Sequence, residues 1–202
     1  MPKILLVDDD PQALESTRKI LEFSGYEVIT AEDGQKALEQ VRPIRTPTLG
    51  FVPVLPFDLV VTDVRMPRLG GLEFLRALSL CGETVPVILM TAYGRVEDAV
   101  WAMKLGAVDF LTKPFNDQVL LESINKALRQ DKANREKRQE CAQARAKFAL
   151  LSPREVQVLQ GIVAGKPNKV VSAELNISLK TVEAHRASAP HLADILTEIA
   201  GR

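Results

Sequence analysis

The 202-residue sequence holds only two cysteines and two histidines. Cys81 and Cys141 stand in dissimilar contexts, and with so few histidines they form none of the ligand spacings of a zinc site. A disulfide framework is excluded with it, and a reduced, cytoplasmic setting is the expectation. No apolar run approaches the ~20 residues needed to span a bilayer, so no membrane partner is expected. The N-terminus lacks the basic-then-apolar pattern of a secretory signal. Net charge is also absent: 26 Lys and Arg balance 26 Asp and Glu. The balance hides an asymmetry, because residues 1–130 are net −4 and residues 131–202 net +4. An acidic front and a basic back suggest a polyanionic partner for the C-terminal part.

Apolar residues are plentiful at 46%, enough for packed cores in one large or two small domains. In the front part short apolar runs recur at Ile4–Val7, Tyr26–Thr30, Leu59–Thr62, Val85–Met90 and Phe110–Thr112. Segments of helical spacing lie between them, such as Ala13, Leu14, Thr17, Ile20 and Leu21, or Ala99, Val100, Met103 and Leu105. Strand–helix alternation predicts a doubly wound α/β domain with a five-stranded parallel sheet. Ligands of such sheets bind beyond the carboxyl ends of the strands. The runs end in chemistry there: "KILLVDDD" in Asp8 and Asp9, "LVVTD" in Asp63, "VILMT" in Thr91, and "FLTKP" in Lys113 before Pro114.

Each residue has a plainer reading: Asp63 as a turn, Thr91 as a β-branched strand residue, Lys113 as a surface charge. At the ends of alternating strands they form a set. Crowded carboxylates call for a cation between them, and hard cations take oxygen ligands. The set suits phosphoryl transfer to a carboxylate, with a metal, an ammonium and a hydroxyl on the phosphoryl oxygens.

The motifs "LLVDDD", "VVTDVRMPRLGG", "ILMTAYG" and "DFLTKPF" fall in the order seen in receiver domains of bacterial two-component response regulators, which residues 3–128 resemble throughout. The resemblance implies a phosphoacceptor at Asp63 and Mg2+ held by Asp8, Asp9, Asp63 and the backbone carbonyl of Arg65. It implies a phosphate-binding Lys113, cis to Pro114, and a switch pair, Thr91 and Phe110. Residues 41–57, with four prolines, are longer than the family's usual connection and are expected to form an extended loop.

Residues 129–149 have no Gly or Pro and mix charges of both signs, which predicts a helical linker. Residues 150–202 open on "LSPREVQVL", where Ser152, Pro153 and Glu155 make a capping box, and continue as short helices joined by "NIS". This is helix-turn-helix spacing in a small all-α domain, although an ordinary helical bundle shares it. The stretch "LSPREVQVLQGIVAGKPNKVVSAELNISLKTVEAHRA" resembles the LuxR/FixJ-type DNA-binding domain. By that resemblance "KTVEAHRA" is the recognition helix. Glu183, Ala184 and Ala187 face bases, and Lys169, Lys180, Thr181, His185 and Arg186 lie nearer phosphates. Pro190 breaks the resemblance: it predicts a recognition helix ending near Ala187, with Ser188 capping a final helix that carries Leu192, Ile195, Leu196 and Ile199.

The expected function is a phosphorylation-controlled transcription regulator, not an enzyme. Its partners are a sensor histidine kinase, promoter DNA and, once phosphorylated, a second copy. Two other classes stand against it. A standalone phosphatase of the haloacid-dehalogenase kind places its nucleophile after the first strand, whereas Asp63 follows the third. A protein-interaction module would keep the receiver but not use the shortened recognition helix on DNA.

Overall fold

The computed structural model describes residues 1–46, 50–80, 85–149 and 151–188. The chain divides into two units, Met1–Lys132 and Ala133–Arg202. In chain order the first contains β1 (Lys3–Val7), α1 (Pro11–Phe23), β2 (Glu27–Ala31), α2 (Gly34–Glu39), β3 (Arg42–Thr46), β4 (Gly50–Val54), β5 (Leu59–Asp63), α3 (Gly71–Leu80), β6 (Val87–Thr91), α4 (Val96–Lys104) and β7 (Asp109–Thr112). α5 (Asp117–Ala149) begins in this unit and runs on past its end, so residues 129–149 are helical as expected.

Five strands form one parallel sheet in the order β2-β1-β5-β6-β7. β5 and β6 are buried along their whole length, which is why they read as unbroken apolar runs rather than alternating ones. Their side chains divide by parity. Leu5, Val7, Val60, Val87 and Leu89 pack against Phe74, Leu75 and Leu78 of α3 and Ala102 of α4. Ile4, Leu6, Leu59, Val61, Ile88 and Met90 pack against Leu21 of α1 and Leu120, Ile124 and Ala127 of α5. The result is the expected three-layer sandwich. The chain winds outward from β1 in both directions, so the topological switch point lies between β1 and β5.

Residues 41–57 differ from the expectation. They hold an antiparallel hairpin, β3 with β4, separate from the main sheet. Pro43 stands opposite Pro53. Neither has an amide hydrogen, so the two can face each other only at a non-hydrogen-bonded position of an antiparallel ladder. Two-stranded ribbons tolerate proline there, because both strands are edges. Prolines argue against helix, and an extended backbone is open to pairing at an edge as well as to a loop.

The second unit contains α6 (Pro153–Val163), α7 (Asn168–Leu175) and α8 (Leu179–Ser188). The capping box forms as predicted: Ser152 Oγ accepts from the Glu155 amide, and the Glu155 carboxylate accepts from the Ser152 amide at 2.8 Å. Val158, Val171 and Val182, one from each helix, make the core. Gly161 lets α6 approach α7, since a Cβ there would stand 2.8 Å from Val171 Cγ2. Asn176, left-handed at φ 51°, ends α7, and Ser178 receives the Thr181 amide at 3.0 Å to start α8. Ser188 is part of α8, so the described helix reaches one residue beyond the expected end at Ala187. Pro190 and the expected final helix lie outside the described residues, as does Cys81.

Candidate functional site

Three consecutive aspartates close β1, and each does something different. Asp8 is buried, with its Oδ1 accepting from the Asp10 amide at 3.0 Å. Asp9 is exposed at the rim. Asp10, which the sequence reading left without a role, caps α1 by accepting from the Gln12 amide at 2.8 Å, ahead of Pro11.

Asp63, the last residue of β5, is 7% exposed. Its Oδ2 accepts from the Arg65 amide at 2.8 Å. Lys113 reaches over from the end of β7 and joins the two buried carboxylates: Nζ lies 2.6 Å from Asp8 Oδ2 and 2.8 Å from Asp63 Oδ1. Burial pulls the Lys113 pKa down, but the hydrogen bonds and charges of Asp63 and Asp8 outweigh it, and the net shift is upward. The Lys113–Pro114 peptide is cis, as the resemblance implied. Gly71 is needed beside the site, because a Cβ there would meet the Asp63 carbonyl oxygen at 2.2 Å.

Thr91 is buried at the end of β6, and its hydroxyl accepts from the Tyr93 amide at 3.1 Å. Phe110 is half-buried on β7 and lines a cavity of about 600 Å³ with Val96, Ala99, Val100 and Met103 of α4. Two contacts escaped the sequence reading. Asp33, fully buried, caps α2 and pairs with Arg68 in the loop after Asp63. The Arg65 guanidinium lies over the Tyr93 ring, 5.4 Å from its centroid. "ED" before Gly34 was a legible cap signal for Asp33, but nothing local points from Arg68 to it.

Among the described residues, no three Asp, Glu, His or Cys side chains are drawn together as a metal-holding group. Magnesium does not need three, because it binds through one or two carboxylates and fills its octahedron with water and phosphate oxygens. Asp8, Asp9 and Asp63 carry three negative charges against the single ammonium of Lys113, which leaves the strand ends with a net charge of −2. All available donors are hard oxygens, so the residues fit Mg2+.

In the second unit, Lys169, Lys180, Thr181, Glu183 and Ala184 are exposed on α7 and α8. His185 is half-buried, with Nδ1 3.7 Å from Glu155 Oε1. Thr181 also shares a 2.7 Å hydroxyl contact with Ser178, so it belongs partly to the turn. Arg186 and Ala187 lie in α8, and their side chains are outside the described set.

Comparison with known proteins agrees with both halves. Residues 4–125 match the response regulator receiver domain, and residues 149–190 match the bacterial regulatory proteins of the luxR family. The chain is 39% identical over 185 residues to the transcriptional regulatory protein FixJ of Bradyrhizobium diazoefficiens, covering 92% of this chain and 85% of that one. It is 36% identical to the response regulator protein TmoT of Ectopseudomonas mendocina, covering 91% and 78%. Among solved structures, the response regulator StyR superposes with a TM-score of 0.75 at 33% identity, covering 99% of this chain and 98% of that one. Full-length FixJ from B. japonicum superposes at 0.57 with 37% identity, covering 96% and 90%.

The architecture is therefore that of a response regulator with a receiver and a helical output domain. The chain belongs to the family of FixJ-like transcription regulators, which join a receiver domain to a LuxR-type DNA-binding domain. Among the described residues no helix is long and apolar enough to cross a membrane.

Proposed function

We propose that Asp63 accepts a phosphoryl group from a sensor histidine kinase and that this event controls the binding of α7 and α8 to promoter DNA. The observation that carries the reading is the buried Asp63 carboxylate, tied to Lys113 at 2.8 Å at the topological switch point. In the transfer, an Asp63 oxygen attacks phosphorus, a P–O bond forms, and the P–N bond to the kinase imidazole breaks with its electron pair returning to the ring. Lys113 takes up charge on the phosphoryl oxygens, and the Arg65 amide holds the Asp63 carboxylate in place. Asp8, Asp9, Asp63 and the Arg65 carbonyl would hold magnesium, which would supply charge neutralisation at the same oxygens. On phosphorylation Thr91 turns its hydroxyl to the phosphoryl group, with Phe110 moving in step.

The output is regulatory rather than enzymatic, and the setting is cytoplasmic. Exposed Val96, Val100, Trp101 and Met103 on α4, beside Phe110, support a second copy of the chain as the partner of the phosphorylated receiver. Lys169, Lys180 and Thr181 approach phosphates, while Glu183, Ala184 and Ala187 read bases. Arg186 and His185 flank them, His185 also touching Glu155. Selection of genomic DNA fragments with and without phosphorylation tests the reading. Enrichment of discrete promoter fragments by the phosphorylated chain is expected. A phosphorylated chain that retains no fragment, even at low salt, would favour output through a protein partner.

A further inference from the structure

Arg65 touches three parts of the receiver at once. Its amide bonds to Asp63. Its guanidinium covers the ring of Tyr93, whose own amide bonds to the Thr91 hydroxyl. The same guanidinium lies 3.8 Å from Asp98 in the first turn of α4. That turn begins at Arg95 without a side-chain cap, so nothing of the usual kind fixes the start of the helix.

We infer that the Arg65 side chain is a phosphorylation-released latch on α4: it ties the acceptor loop to the start of the helix through Asp98 and Tyr93, and it leaves both for the phosphoryl group on Asp63. This rests on Asp63 being the acceptor. The partners are unequal. Asp98 offers one charge at 3.8 Å in a half-exposed pair, a contact of small worth. A phosphoryl group two residues away brings nearly two charges and three strong acceptor oxygens, which the planar guanidinium fork matches better than a single carboxylate. Thr91 turning to the same group takes away the acceptor of the Tyr93 amide, so both ends of the Tyr93 contact loosen together. The start of α4 is then free to repack while Asp63 stays fixed.

Amide hydrogen exchange of peptides covering residues 96–103, on the full chain, reads the latch directly. Intact mass reads phosphorylation by acetyl phosphate and magnesium in the same samples. Arg65→Ala is expected to raise exchange roughly two- to thirtyfold before phosphorylation, the range of an exposed ion pair plus a cation–π contact. Asp98→Asn gives a smaller rise and an unchanged mass gain on phosphorylation. The double variant gives no more than Arg65→Ala alone. Phosphorylation raises wild-type and Asp98→Asn exchange to the level of Arg65→Ala and adds little in Arg65→Ala or the double variant. Additive effects in the double variant, or Asp98→Asn behaving as wild type in both states while the mass gain is normal, would overturn the latch. A missing mass gain in the wild type would instead overturn the acceptor reading, and the release step with it.

Discussion

Replacing Lys113 by methionine keeps most of the side-chain volume and removes the one positive charge between Asp8 and Asp63. The wild-type contacts are 2.6 and 2.8 Å, and both carboxylates are under 10% exposed as whole residues. Breaking a fully buried pair costs about 3–5 kcal/mol, because the remaining charge is left uncompensated. The Lys113 side chain keeps 24% of its exposure, so solvent screens part of this, and about 1–3 kcal/mol is the expected loss. Urea unfolding followed by the fluorescence of Trp101 reads this unit alone, since the chain has a single tryptophan. Magnesium should then recover more stability in the variant than it adds to the wild type, because the two carboxylates there have no ammonium to share.

The sign of the pH effect follows from the raised Lys113 pKa. Its stabilisation is complete below the unfolded value, about 10.5, and is lost as pH climbs through the higher folded value. Wild type and variant should therefore converge in stability in strongly alkaline solution. Equal urea midpoints at neutral pH without magnesium would refute the claim that Lys113 compensates two buried carboxylates.

Other perturbations have simpler expectations. Ser152→Ala removes the hydroxyl half of the capping box and should lower the stability of the α6–α8 unit by about 1 kcal/mol, read as an earlier helical melt by circular dichroism; an unchanged melt would mean that the cap is idle. Arg65 and Tyr93, two residues beyond Asp63 and Thr91, are both bulky. Trimming both to Ala should open the path of the hydrolytic water and shorten the lifetime of the phosphorylated state several-fold; an unchanged decay would show that they do not hinder it.

Much of the receiver was legible because its signals are local. β5 and β6 are buried on both faces and therefore read as apolar runs, and the parallel-sheet rule then directs attention to Asp8, Asp63, Thr91 and Lys113. Strand ends shifted by one or two residues, as at Val87–Thr91 against the expected Val85–Met90, because burial rather than composition decides where the ladder stops. Contacts between distant segments were not legible. Asp33 with Arg68, and Arg65 with Asp98, are separated by more than 30 residues and rest on how loops pack over the strand ends. The β3–β4 hairpin was missed for another reason, since proline argues about donors and torsion and is silent on pairing at an edge. The capping box and the turn at Asn176 were predictable because caps and left-handed turns are written in a few adjacent residues.

The central claim is that Asp63 carries the phosphoryl group. Incubation of the full chain with acetyl phosphate and magnesium, followed by peptide mass mapping, tests it most directly. An acid-stable, base-labile gain of one phosphoryl mass is expected on the peptide containing Asp63, requiring magnesium and absent from Asp63→Asn. Undiminished labelling of Asp63→Asn, or labelling mapped to another residue, would contradict it.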